Sequence, residues 1–81
     1  MDVEVRLFAN LADYLPPSAR GPAATLSVPD GATVGDLLRR LAVPEALPRL
    51  VLVNGIDADP SRRLAPGDVV AVLPPLAGGS G

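Results

Sequence analysis

The run Val69-Val70-Ala71-Val72-Leu73-Pro74-Pro75-Leu76-Ala77-Gly78-Gly79-Ser80-Gly81 decides how the chain is read. Val69 to Leu73 is apolar with little alternation, which suits a strand buried on both sides in the middle of a sheet. Pro74 and Pro75 end that strand, because neither has an N–H to give a neighbour. They also hold the departing chain stiff and extended. Gly78 and Gly79 then present bare backbone, which can enter a channel too narrow for a Cβ. A stiff stalk with a slim tip is a good shape for carrying a terminal carboxylate into another protein. Taken alone, Gly-Gly-Ser-Gly reads equally well as a fraying end; the two prolines ahead of it favour the stalk.

Working back from that run, Leu64-Ala65-Pro66-Gly67-Asp68 is a Pro-Gly turn feeding the last strand. Leu50 to Val53 is a β-rich run that ends at Asn54-Gly55. Asn-Gly is a strong hairpin signal, because both central residues of a type I′ turn need positive φ. Ile56 and Ala58 read as a short return strand. Between the hairpin and the turn, Asp57 and Asp59 lie two apart. A magnesium or calcium site needs more ligands than these, so they read as solvated turn charges.

Further upstream, Thr33-Val34-Gly35-Asp36 reads as a helix start. Thr33 is a good N-cap, and Asp36 stands where a capping box usually has Glu or Gln. Val34, Leu37, Leu38 and Leu41 follow at i, i+3, i+4 and i+7, one apolar stripe. Arg39 and Arg40 lie off the stripe and suit the negative end of the helix dipole. They read as a solvated face first and a partner-binding face second. Pro44 is expected to stop the helix.

At the start of the chain, Val3, Val5 and Leu7 alternate with Asp2, Glu4 and Arg6, the pattern of a half-buried strand. Asn10 to Leu15 suggests a short helical turn, and the prolines and glycine from Pro16 to Pro22 make a surface loop. Ala24, Leu26 and Val28 alternate again, so the first two strands should pair antiparallel. The order is strand, strand, helix, strand, short strand, strand. That order predicts an α+β fold: a mixed sheet with one main helix on one face, in two layers around one core. Residues 1–75 form the domain in this reading, and residues 76–81 form a flexible tail.

Composition narrows the chemistry. The 81 residues have neither cysteine nor histidine. That removes thiolate chemistry, the commonest zinc ligand and the commonest general base, so no metal site and no bound cofactor are expected. The net charge of −2 lacks the basic excess of a nucleic-acid binder. No stretch approaches the ~20 apolar residues of a membrane span, and no apolar signal core opens the chain. The expected location is cytoplasmic. All seven basic residues are arginine, which fits GC-rich coding. Without lysine, the protein cannot be built into lysine-linked chains of itself.

In this order, the elements and the tail resemble the β-grasp sulfur carriers, relatives of ubiquitin that include the small subunit of molybdopterin synthase (MoaD) and the thiamine-pathway carrier ThiS. Val3 to Ala9 resembles that family's first strand, and Asp30 to Leu38 its turn and helix start. Val53-Asn54-Gly55 resembles its Val-Asn-Gly turn, and Leu64 with Pro66-Gly67-Asp68 its approach to the last strand. Pro74-Pro75-Leu76-Ala77-Gly78-Gly79 is similar to its Pro-Pro-Val-Ala-Gly-Gly end, and is closer to the molybdopterin branch than to the thiamine one.

The resemblance implies that the protein is a carrier, not an enzyme. An activating enzyme would use ATP to adenylate the terminal glycine carboxylate. A sulfide or persulfide donor would displace AMP and leave a thiocarboxylate, which gives its sulfur to a substrate inside a large synthase subunit. Gly79 would be the activated residue if a processing protease removes Ser80-Gly81, and Gly81 if it does not. Pro75, Leu76, Ala77 and Gly78 would enter the partner. Ser80-Gly81 departs from the family pattern, which usually ends at the second glycine. Trimming, activation at Gly81 and a tail that is never activated all stay open. Two further readings use the same features. One is a ubiquitin-like modifier joined to target lysines through the tail. The other is a β-grasp binding module whose tail only docks.

Overall fold

The computed structural model describes residues 1–17, 19–44 and 46–75. Strands β1 (Asp2–Leu7) and β2 (Ala23–Ser27) come first, with a 3-10 helix (Ala9–Tyr14) between them. Helix α1 (Val34–Arg40) follows, then β3 (Leu50–Val53), β4 (Ile56–Asp57) and β5 (Val69–Leu73). They form one five-stranded sheet in the order β2-β1-β5-β3-β4. β1 pairs antiparallel with β2 (Val5 opposite Ala24) and parallel with β5 (Val5 opposite Val70). β3 pairs antiparallel with β5 (Val51 opposite Val72) and with β4 (Val53 opposite Ile56). This is the mixed α+β sheet expected, with the chain's first and last strands side by side at its centre.

The period-two pattern sorts each strand into a covered and an uncovered side. Val3, Val5, Leu7, Val51, Val53, Val70 and Val72 are buried together with Val34, Leu37, Leu38 and Leu41 of the helical stripe. Leu11 of the 3-10 helix closes the end of this core at 1% exposure. Removing the Leu37 side chain from such a site typically costs about 2–5 kcal/mol. A domain of this size is stabilised by only about 4–12 kcal/mol in all.

Both ends of α1 have a defined stop. The Thr33 hydroxyl accepts from the Asp36 N–H at 3.2 Å, and the Asp36 carboxylate accepts from the Thr33 N–H at 3.0 Å. The box therefore closes with Asp in the place of Glu, and such a cap contributes about 1 kcal/mol. Val34 and Gly35 donate to the carbonyls of Arg62 and Pro60, each at 2.9 Å. A Cβ on Gly35 would sit 3.3 Å from that Pro60 oxygen, so this close approach favours a residue without a side chain.

At the other end the helix stops before Pro44. Ala42 adopts a left-handed conformation (φ 61°), and its N–H donates to Arg39 O at 3.0 Å. The Val43 N–H donates to Leu38 O at 3.1 Å. These two bonds are those of a Schellman cap, a site usually held by glycine. Pro44 lies just beyond a turn that has already been made.

β5 also departs from expectation. It is central, as its apolar run implies, but it is not buried on both sides. Val70 and Val72 are fully buried, whereas Val69, Ala71 and Leu73 are only partly covered and lie outside the core cluster. The helix covers one face, and no described element covers the other.

Candidate functional site

The uncovered face of β5 is where the residues converge. Alternation puts Val69, Ala71 and Leu73 on it, with Leu50 and Leu52 of β3 beside them. The register places Leu73 opposite Leu50, and Ala71 opposite Leu52. Phe8 continues β1 in extended conformation, donates its N–H to Val72 O at 3.1 Å, and by the same alternation falls on this side. All six are partly exposed. In the row through Ala71 and Leu52, the neighbours flanking them are Arg6 on one side and Asp57 on the other. An apolar strip two strands wide, with charges along its edges, has the layout of a protein interface.

The strip ends where β5 does, just before Pro74 and Pro75. Leu73 ends β5, Pro74 is half-buried and Pro75 is exposed. Of the residues expected to work at a partner, Pro75 lies among those described, two positions beyond the end of β5. Leu76, Ala77, Gly78, Gly79 and Gly81 lie outside the described residues.

The other end of β5 is tied by a polar lock. Asn54 and Gly55 both take positive φ (53° and 83°), as a type I′ turn requires. The Asn54 side-chain carbonyl accepts from the Val69 N–H at 3.0 Å, and its NH2 donates to Asp68 at 3.0 Å. The other Asp68 oxygen accepts from the Ala65 N–H at 2.8 Å, and the Asn54 N–H donates to Val69 O at 2.8 Å. Pro66 and Gly67 (φ 82°) close the turn before it. Asp68 is only 8% exposed. The Ala65 N–H, then the Asn54 amide, hold its carboxyl below the usual carboxylate range. The lock fixes where β5 begins, and so the register that carries it to Leu73.

The remaining acidic groups with a defined partner are structural. The Thr33 N–H holds the Asp36 carboxyl low, and Asp36 also pairs with Arg39. The Ser61 hydroxyl does the same for Asp59. Among the described residues no group of three or more acidic, histidine or cysteine side chains comes together to hold a metal. No described helix is long and apolar enough to cross a membrane.

The sequence pointed to the tail but not to the strip. Its signal was present in the strand pattern: the outward positions of β1 are Asp2, Glu4 and Arg6, while those of β3 and β5 hold no polar residue.

A mixed five-stranded sheet grasping one helix, with β1 and β5 parallel at its centre, is the β-grasp fold of ubiquitin-like proteins of the MoaD/ThiS kind. The family described as Mut7-C ubiquitin matches residues 1–78, and the chain belongs to that family. A search of curated proteins finds no match. Among solved structures, the protein SAMP1 from Haloferax volcanii is 31% identical, with a TM-score of 0.75 over 98% of this chain and 100% of its own. A chain from Pyrococcus furiosus described as a putative molybdopterin converting factor, subunit 1, is 26% identical, with a TM-score of 0.74 over 93% of this chain and 98% of its own. A chain from the complex of subunits 1 and 2 of the Helicobacter pylori molybdopterin-converting factor is 26% identical, with a TM-score of 0.63 over 98% of this chain and 100% of its own.

Proposed function

We propose that the protein is a sulfur carrier whose reactive group is the carboxyl of its own C-terminal glycine. A carboxylate is a poor electrophile. Its oxygen attacks the α-phosphorus of ATP within an activating enzyme, pyrophosphate leaves, and the acyl adenylate has an attackable carbon. A sulfide sulfur then displaces AMP and leaves a thiocarboxylate. The acceptor pathway that fits best is molybdopterin biosynthesis, with trimming of Ser80-Gly81 exposing the Gly79 carboxyl. The carrier needs no side-chain catalyst, in keeping with a chain without cysteine or histidine.

The observation that carries this reading is the continuity of the apolar strip with the Pro74-Pro75 exit. A partner seated on Leu50, Leu52, Ala71 and Leu73 holds the sheet while the segment beyond Leu73 enters its active site. The stretch from Pro74 to Gly79 spans at most about 20 Å when extended, enough to reach an enclosed site. The partner is the larger subunit of a synthase, in line with the two-subunit Helicobacter pylori complex that contains a similar chain. The protein works in the cytoplasm.

A second reading, a modifier joined to lysines through the same activated tail, is favoured by the 31% identity to SAMP1, which is described as a small archaeal modifier protein. Both need the first activation step. ATP–pyrophosphate exchange with a cognate activating enzyme, run on chains ending at Gly79 and at Gly81, tests it. Exchange that depends on the Gly79-ended chain supports the proposal. Exchange with neither chain overturns both readings.

A further inference from the structure

β2 is one edge of the sheet, and its outer side is only partly closed. The Leu7 N–H donates to Pro22 O at 3.0 Å and the Val28 N–H to Met1 O at 2.8 Å. Even-numbered residues of β2 therefore carry the ladder to β1, and odd-numbered ones turn their backbone groups away from it. Ala23 agrees: its N–H and C=O exchange bonds with Arg20, at 3.2 and 2.8 Å, on that outer side. Thr25 and Ser27 are exposed, and their outward backbone groups have no hydrogen-bond partner among the described residues. The open stretch is short, bounded by the Arg20 bridge and by Pro29.

A hollow flanks this edge on each face. On the helix side, a cavity of about 230 Å³ is lined by Tyr14, Pro16, Leu26, Ser27, Arg40 and Leu41. On the opposite side, a cavity of about 350 Å³ is lined by Glu4, Arg20, Ala23, Ala24 and Thr25. Both are open to solvent and sit near the lower limit of about 300 Å³ for small-molecule sites. They are the size of side-chain subsites. Each has an arginine on its lining, and neither Arg20 nor Arg40 forms an ion pair among the described residues. Glu4 is already paired with Arg6.

We infer that the β2 edge is a docking site for an extended acidic peptide segment, which adds as a short strand along Thr25–Ser27. An added strand sends successive side chains to opposite faces. An aliphatic residue fills the hollow between Tyr14, Leu26 and Leu41. A carboxylate two places along on the same face meets Arg40, and a carboxylate neighbouring the aliphatic residue turns to the other face and meets Arg20. Backbone bonds to Thr25 and Ser27 supply the attachment, and the two arginines select negative charge. The inference is independent of the sulfur-carrier reading and uses a different surface from the apolar strip.

The test is a titration of the whole chain, followed by amide NMR, with a blocked peptide of the pattern Asp-Leu-Thr-Asp. Shifts concentrated at Thr25, Leu26, Ser27, Arg40 and Leu41, with slowed exchange of the Thr25 and Ser27 amides, are expected. Arg40→Glu and Arg20→Glu should each weaken binding about fivefold or more, the upper range for an exposed ion pair. Unchanged shifts in the rest of each variant's spectrum show that it folds. A peptide with proline in place of the central Leu-Thr should not bind. Absence of these shifts at millimolar peptide, shifts centred on Leu52 and Ala71 instead, or variants that bind as well as the parent overturn the inference.

Discussion

Asp68→Asn removes one negative charge from the lock at the start of β5 and leaves the shape almost unchanged. The two Asp68 oxygens face two donors, the Ala65 N–H at 2.8 Å and the Asn54 NH2 at 3.0 Å. Asparagine has one acceptor oxygen, so its own NH2 must face one of those donors. One hydrogen bond to a charged group is lost, worth about 1.5–3 kcal/mol, and a donor is left opposed at a nearly buried position. The expected loss is about 2–3 kcal/mol, against a total of about 4–12 kcal/mol for a domain of this length. The melting temperature should fall by roughly 10–20 °C. Urea unfolding of both proteins between neutral and acid pH is the assay, with the denaturant slope showing whether the unfolded states are comparable. The pH dependence has a definite sign. The folded carboxyl is held below its ordinary value, so its contribution is complete above the unfolded value of about 3.9. The contribution is lost as pH falls through the lower folded value. The gap between parent and variant should therefore close in acid. A gap under about 0.5 kcal/mol at neutral pH, or one that persists unchanged at about pH 2, would refute the assignment of the lock to this carboxylate.

Three further outcomes follow from the same geometry. Ala42→Gly should stabilise the protein by up to about 1 kcal/mol in thermal or urea unfolding, because Ala42 holds a left-handed cap position that glycine takes without strain. Leu52→Glu, on the uncovered face, should leave stability within about 1 kcal/mol of the parent yet abolish binding to an activating enzyme or synthase partner in calorimetry, because a charge would be buried unpaired in the interface. Gly78→Ala should leave the melting temperature unchanged while reducing adenylation or sulfur transfer, the outcome expected if the sequence reading of residues 76–81 as a tail holds; unimpaired transfer would favour a tail that only docks.

Much of the fold could be read from local chemistry. Val34, Leu37, Leu38 and Leu41 bury as one stripe, Thr33 and Asp36 close the box, and Asn54-Gly55 makes the hairpin. In each case neighbouring residues state their own geometry. What escaped was set by contacts distant in sequence, or by a residue acting against its preference. Ala42 turns left-handed because the Schellman bonds and the burial of Val43 outweigh its strain, and no residue type signals that. β5 was expected to be buried on both faces because an apolar run reports that its side chains avoid water, not which molecule covers them. Val69, Ala71 and Leu73 keep that preference on a face that the described chain leaves open. The lock joining Asn54 to Asp68 spans fourteen positions and was likewise unreadable from either turn alone. The tail was legible only as a string of residue types; its glycines lie outside the described residues.

The central claim, that the chemistry of this protein resides on its C-terminal carboxyl, is tested most directly by the intact mass of the protein recovered from cells engaged in sulfur transfer. The account predicts a form lacking Ser80 and Gly81, and a second form heavier by the difference between one sulfur and one oxygen, with the added mass on the C-terminal peptide. A C-terminus that stays an unmodified carboxylate under those conditions, with no sulfur-bearing form at either Gly79 or Gly81, would contradict it.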